Sequence, residues 1–247
     1  GNRREYPRTL ANTFKTLSVY LLLVFGAVIV TIVGLLLFPL FFLGRERRKY
    51  ILHWVICQLS RFYIWFSFFP NKKIINEHGE DFSKPAIVIS NHQSHIDTPI
   101  MFGLSPKLII LTKGWVYSFP LYYFVVRMAD FFTVANGLDA ILPQLKERVA
   151  NGYHVAIFPE GSRSESEEVQ RFHKGAFYLA EQLKMDVLPI YLHGTGRFLR
   201  RERFWGETND LTVRIGERIP YNDTRFGEDY TARTKKINAF YREQYAA

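Results

Sequence analysis

Residues 85–99 read Pro85-Ala86-Ile87-Val88-Ile89-Ser90-Asn91-His92-Gln93-Ser94-His95-Ile96-Asp97-Thr98-Pro99. Ala86 to Ser90 is a short apolar run of the kind that a strand buried on both faces requires. The polar segment after it reads as a loop. Thr98 then reads as the N-cap of a helix with Pro99 at its first position, where the missing N–H costs nothing. The same texture recurs downstream. Leu108–Thr112, Val155–Phe158 and Val187–Leu192 are further buried-strand runs, and Thr98–Gly103, Phe119–Met128, Leu138–Asn151 and Gly175–Leu183 carry helical patterns between or around them. This alternation predicts an α/β fold whose mixed, mostly parallel sheet is flanked by helices. Asp229–Tyr245 reads as one amphipathic helix, and no repeat or low-complexity segment is evident.

Upstream the texture differs. From Thr16 to Gly44 there is no Asp, Glu, Lys, Arg or His, and a bilayer core needs roughly 20 apolar residues as a helix. The run is too long, and lacks the small-residue cleavage site, to read as a secretory signal peptide. Arg3, Arg4, Arg8 and Lys15 precede it, and Arg45, Arg47, Arg48 and Lys49 follow. A single span should be asymmetric in positive charge, and this one is not. Gly26, Gly34 and Pro39 are places for a bend or break. A second apolar segment, Tyr50 to Pro70, carries His53, Gln58, Ser60 and Arg61. The pair reads as a membrane-associated helical hairpin entering one leaflet with both ends cytoplasmic, in preference to a true span. Residues 1–70 are thus expected to form the membrane-associating segment and residues 71–247 the catalytic α/β domain.

The chain of 247 residues is 48% hydrophobic and 16% aromatic, so it can bury a core and is not disordered. Its one cysteine, Cys57, excludes an intrachain disulfide and any zinc site of several thiolates. The formal charge is +9, and residues 1–84 hold 12 Lys/Arg against 5 Asp/Glu, whereas the rest hold 20 against 18. A nucleic-acid binder would carry its excess on the folded domain. Here the excess flanks the apolar run, which points to a membrane surface and not to nucleic acid.

Two constellations could carry chemistry. In the first, His92 and Asp97 are too far out of phase to share a helix face, because five residues advance roughly 500°. They meet if His92 lies in the loop and Asp97 at the helix start. Asp97 would then bind one ring nitrogen of His92 and leave the other as a base. Alternatively, Asp97 only caps the helix and both histidines are loop residues. The second is Phe158-Pro159-Glu160-Gly161-Ser162-Arg163-Ser164, after the strand Val155–Phe158. Its Arg fork and turn amides suit phosphate oxygens, although a surface Glu–Arg pair on a turn reads the same way. No G-x-S-x-G elbow, P-loop, G-x-G-x-x-G or H-E-x-x-H is present. A base without an enzyme nucleophile suggests that the substrate supplies the nucleophile.

The HX4D block Asn91–Asp97 and the block Phe158–Ser164 together resemble the glycerolipid acyltransferases, most closely the lysophosphatidate acyltransferases. Lys113 in LTKGWVYSFP, Phe172-His173-Lys174-Gly175-Ala176 and Val187-Leu188-Pro189-Ile190 support the resemblance, which covers about residues 70–195. One departure is Asn136, where the family's second motif usually ends in Arg.

The resemblance implies transfer of a fatty acyl group from a thioester to the free hydroxyl of lysophosphatidate, giving phosphatidate. His92 would deprotonate the hydroxyl and Asp97 would orient His92. Lys113 and Arg163 would hold the phosphate, Glu160 would hold Arg163 or the turn, and Gly161 and Ser162 would shape that turn and offer backbone N–H groups. The donor would be acyl-CoA or an acyl carrier protein thioester, with no metal and no other cofactor. The Arg197, Arg200, Arg201 and Arg203 run could meet either donor, or be a solvated or membrane-facing surface. The enzyme would sit at the cytoplasmic face of a membrane, the inner one in a bacterium. Competing readings are an acyltransferase acting on glycerol 3-phosphate or another lysolipid, a metal-dependent phosphohydrolase using His92, His95 and Asp97, and a lipid-binding module. Nothing upstream of residue 70 resembles an acceptor domain, and the compact length favours lysophosphatidate.

Overall fold

In the computed structural model, which describes residues 10–66, 69–112, 131–164, 168–198 and 210–247, the apolar runs form the middle of a sheet. The elements in chain order are α1 (Leu10–Leu37), α2 (Arg45–Phe66), β1 (Lys72–Ile75), β2 (Ile87–Ser90), α3 (Asp97–Phe102), β3 (Leu108–Thr112), β4 (Phe132–Thr133), α4 (Leu138–Ala150), β5 (His154–Ile157), α5 (Gly175–Leu183), β6 (Val187–His193), α6 (Thr195–Phe198), β7 (Leu211–Ile215) and α7 (Tyr230–Ala246). The strand order is β1-β7-β6-β2-β5-β3-β4. Every described neighbour pair is parallel except β6 with β7, so the sheet is mixed and mostly parallel, as the alternation predicts.

All four strands expected from apolar runs are present, and β2 is fully buried along its length. Three others were not read from the sequence. In β1 three of four residues are exposed and two are lysines, a composition that protects a sheet edge and carries no apolar signal. β4 has two residues, too few for any pattern. β7, Leu-Thr-Val-Arg-Ile, alternates buried and half-buried residues, the period of a strand with one packed face. The expected helix Phe119–Met128 lies outside the described residues.

The sheet separates two apolar layers. On one side Val88, Leu108, Ile110 and Leu188 pack with α3 (Ile100, Met101), α2 (Leu52, Ile56, Tyr63) and, beyond it, Val19 and Val30 of α1. On the other, Ile87, Ile89, Ile109 and Val155 pack with α4 (Ile141, Leu145), α5 (Phe177, Leu179) and α7 (Ile237, Tyr241). α2 therefore covers the first face of the sheet by packing on α3, and α1 packs on α2. Gly26 and Gly34 lie inside an unbroken α1, which stops at Leu37, two residues short of Pro39, where a helix must end or kink. A turn of 3-10 helix, Phe41–Leu43, joins α1 to α2.

α1 buries little of itself. Leu17, Leu21, Val24, Phe25, Ile32, Leu35 and Leu36 are all exposed. Its Thr16–Leu37 stretch is long and apolar enough to cross a membrane, about 33 Å at 1.5 Å per residue. Among the described residues no other helix meets that test.

Candidate active site

β6, β2 and β5 are adjacent and parallel, so the loops at their C-terminal ends emerge together, the usual place for a site on an open α/β sheet. The loop after β2 carries His92 and the loop after β5 carries Glu160 and Arg163.

His92 and Asp97 are paired: the Nδ1 to Oδ2 distance is 2.9 Å. The same Oδ2 accepts from the backbone N–H of Gln93 and of Ser94, both at 2.7 Å. Asp97 is fully buried, and Oδ1 has no hydrogen-bond partner among the described residues. A carboxylate oxygen already accepting two amides can only accept from Nδ1, so Nδ1 carries the imidazole proton and Nε2 presents a lone pair. The ring is held flat against Phe158, with centroids 4.1 Å apart and planes at 17°. Thr98 is not the N-cap. α3 begins at Asp97, after Ile96 in helical geometry and without a side-chain cap. Asp97 reaches back to the amides three and four residues earlier, which winds the chain before Thr98. Pro99 falls at the third helical position, where its N–H would still have no helical partner.

Glu160 holds neither Arg163 nor its own turn. It is buried, and its Oε1 accepts from the backbone N–H of His92 at 2.9 Å while Oε2 accepts from Gln170 N–H at 3.0 Å. The N–H of Ser164 in turn donates to the His92 carbonyl at 2.7 Å. Both backbone groups of His92 are thus fixed by the second loop. Burial pushes the Glu160 carboxyl up to about 7, with the two amides pulling the other way and the Asp97 charge adding to the rise.

Arg163 contacts His95 through Nη1 and the ring Nε2. A guanidinium only donates, so Nε2 of His95 must be unprotonated. Burial first, then the Arg163 and His92 charges, lower His95 to about 4, which keeps it neutral. Gly161, at φ +70°, makes the turn between Glu160 and Arg163 in a left-handed geometry that favours glycine. Its N–H is used by the Phe158 carbonyl at 3.0 Å, so of the two turn amides proposed as donors only that of Ser162, which is exposed, is left. The His173 N–H donates to Pro159 at 2.7 Å, which ties the Phe172–Ala176 block to the same loop.

Lys113 lies outside the described residues, as do Arg200, Arg201 and Arg203. Asn136 is exposed in the turn before α4, where the Gly137 N–H donates to Val134. Among the described residues no group of three or more His, Cys, Asp or Glu side chains is placed to hold a metal ion. Sequence reasoning placed the C-terminal helix but missed its bonds to the site: Tyr241, Tyr245 and Asn238 all bond to the two loops. An amphipathic pattern marks such aromatics as core and gives no sign of their hydroxyl partners.

A His–Asp pair and an adjoining Arg thus stand at the ends of neighbouring parallel strands of a mixed α/β sheet. Residues 71–193 match the Acyltransferase family, and the chain belongs to it. It is 30% identical over 161 residues to the 1-acyl-sn-glycerol-3-phosphate acyltransferase LPAT1, chloroplastic, of Arabidopsis thaliana, covering 62% of this chain and 44% of that protein. Against the 1-acyl-sn-glycerol-3-phosphate acyltransferase beta of Homo sapiens it is 26% identical over 144 residues, 56% of this chain and 52% of the other. The chain spans about half the length of the curated relatives it matches. The crystal structure of the 1-acyl-sn-glycerophosphate (LPA) acyltransferase PlsC from Thermotoga maritima has the same fold: TM-score 0.75 and 21% identity, covering 98% of this chain and 100% of the other.

Proposed function

We propose that this protein acylates lysophosphatidate to phosphatidate. The observation that carries the reading is the His92–Asp97 pair at 2.9 Å on a loop whose backbone is fixed by the loop bearing Arg163. The names of the relatives support the choice of substrate. Nε2 of His92 takes the proton of the acceptor hydroxyl as its oxygen attacks the thioester carbonyl. The new C–O bond forms, the C–S bond breaks, and His92 returns the proton to the leaving thiolate. Asp97 stabilises the imidazolium between these steps. General-base help of this kind contributes on the order of 10²–10⁴-fold, and alignment of the two substrates adds to it. Arg163, oriented by neutral His95, binds the phosphate together with Lys113, each charge-assisted contact contributing roughly 1.5–3 kcal/mol. No step calls for a metal or another cofactor.

The donor is a thioester of coenzyme A or of acyl carrier protein, and the exposed Arg197 belongs to the basic run that would meet either. The acceptor comes from lipid, and the exposed apolar face of α1 supports that source. Lifting an acyl chain into water costs about 0.8 kcal/mol per methylene. α1 passes near enough to the site for Tyr20 to lie within electrostatic reach of Arg163, so a lysolipid in the same leaflet would enter without leaving it. Trp54, Phe62, Trp65 and Phe66 on α2 are also exposed, aromatics suited to the headgroup boundary. In this reading α1 embeds in one leaflet with the basic flanks on the cytoplasmic side. Flotation with anionic vesicles, together with formation of phosphatidate from lysophosphatidate and an acyl thioester, tests the proposal. A protein that stays at the bottom of the gradient and makes no phosphatidate from either donor overturns it.

A further inference from the structure

We propose that the C-terminal helix α7 is a latch that positions both catalytic loops, with Tyr241 as its principal group; this rests on the acyl-transfer reading above. Asn238, Tyr241 and Tyr245 are three and four residues apart and so share one face of α7. Tyr241 is fully buried. Its hydroxyl accepts from the Asn91 N–H at 2.9 Å and donates to the Ile190 carbonyl at 2.6 Å. Burial keeps this hydroxyl protonated, well above the ordinary tyrosine value.

Asn91, the residue before His92, is bound on its other side to β6. Its Nδ2 donates to the Leu192 carbonyl and its Oδ1 accepts from Leu192 N–H, both at 2.9 Å. A side chain thereby continues the β2–β6 ladder beyond the end of β2, and Tyr241 closes it. Tyr245 takes the next position: its hydroxyl accepts from Gln93 Nε2 at 3.2 Å, and its ring stacks on His193 with centroids 4.2 Å apart and planes at 11°. Asn238 reaches the other loop, donating at 3.2 Å to the carbonyl of Gln170, whose own N–H holds Glu160. One helix face therefore touches the residue before the proposed base, the residue after it, and the partner of the carboxylate that fixes its backbone.

None of the three groups takes part in the chemistry. Tyr241 has no exposed surface and acts through Asn91. Removing its hydroxyl leaves the Asn91 N–H buried and unpaired, and the loop must relax to solvate it. A displacement of about 1 Å at a reacting group costs on the order of 10²-fold.

The test compares wild type with Tyr241→Phe by steady-state kinetics and by hydrogen exchange of the intact protein in micelles. We expect kcat to fall about 10- to 100-fold with KM for lysophosphatidate within about twofold. Amides of residues 91–97 should exchange faster while those of α4 do not change. Combining Tyr241→Phe with Asn91→Ala should lower kcat no further than the worse single variant, because the two act as one unit. Exchange that rises evenly through the domain, or does not rise at residues 91–97, overturns the latch. Should Tyr241→Phe not fold, Asn238→Ala on the half-exposed edge of the latch takes its place: faster exchange at residues 158–170 supports the proposal and unchanged exchange overturns it. A wild-type protein inactive on every acceptor removes the acyl-transfer reading, and the exchange result still decides the latch.

Discussion

Asp97→Asn keeps the shape of the side chain and removes its charge. In the native loop one oxygen accepts from His92 Nδ1 at 2.9 Å and from two amides at 2.7 Å. With a neutral amide oxygen in that place, each bond falls from roughly 1.5–3 to roughly 0.5–1.5 kcal/mol, a total loss of about 3 kcal/mol in stability. For a domain of this size that lowers Tm by roughly 6–12 °C. The catalytic effect has a different origin. The imidazolium that forms on His92 loses an anion whose charge centre is about 4 Å away, worth roughly 4 kcal/mol at an effective dielectric of about 20. Converted through the rate equation, that is a fall of about 10³-fold in kcat, with KM for lysophosphatidate little changed because the phosphate contacts are elsewhere. Thiol release from acyl-CoA followed with a thiol reagent gives both constants, and a thermal melt gives the stability. A variant that keeps kcat within threefold of wild type would refute the assignment of Asp97 as the partner of a general base.

Other outcomes follow from the same geometry. Glu160 is raised in the fold from 4.5 to about 7, so the folded state holds its proton more tightly than the unfolded chain. Its contribution to stability is whole below about pH 4.5 and is lost as pH rises to about 7, on the order of 3 kcal/mol; urea unfolding of Glu160→Gln should lack that slope. His95 is lowered from 6.5 to about 4, the opposite sign: its contribution is whole above pH 6.5 and is lost on acidification towards 4, so His95→Gln should lessen acid sensitivity across that window in the same experiment. Arg163→Lys keeps the charge without the planar fork and should raise KM for lysophosphatidate about tenfold, the loss of one good hydrogen bond, with kcat less affected. Prolonged chelation should leave the rate unchanged; a loss restored by a divalent cation would contradict direct hydroxyl activation by His92.

The buried half of the fold was legible because β2, β3, β5 and β6 are covered on both faces and so read as continuous apolar runs. β7 carries a different signal: Leu211, Val213 and Ile215 alternate with Thr212 and Arg214, the pattern of a strand packed on one face, and no unbroken apolar run marks it. Spacing allowed the His92–Asp97 pairing, because a loop residue and a helix-start residue can meet where two residues of one helix cannot, but left a simple helix cap as the alternative; the resemblance to the glycerolipid acyltransferases favoured the pair. Glu160 was placed in the right loop with the wrong partner. Its contacts are backbone amides, one of them 68 residues away, and a main-chain donor leaves no trace in residue type. For the same reason Asn91 and Tyr241 stayed hidden: a tyrosine on an amphipathic helix looks like core packing until its hydroxyl is seen against Ile190.

The central claim is that His92 activates the hydroxyl of lysophosphatidate for acyl transfer. Its most direct test is to incubate the protein and a His92→Ala variant in detergent micelles with lysophosphatidate and labelled acyl-CoA, repeated with acyl carrier protein as donor, and to separate the lipids. Labelled phosphatidate from the wild type and none from the variant is the predicted result. Equal phosphatidate from both, or none from the wild type with either donor, would contradict it.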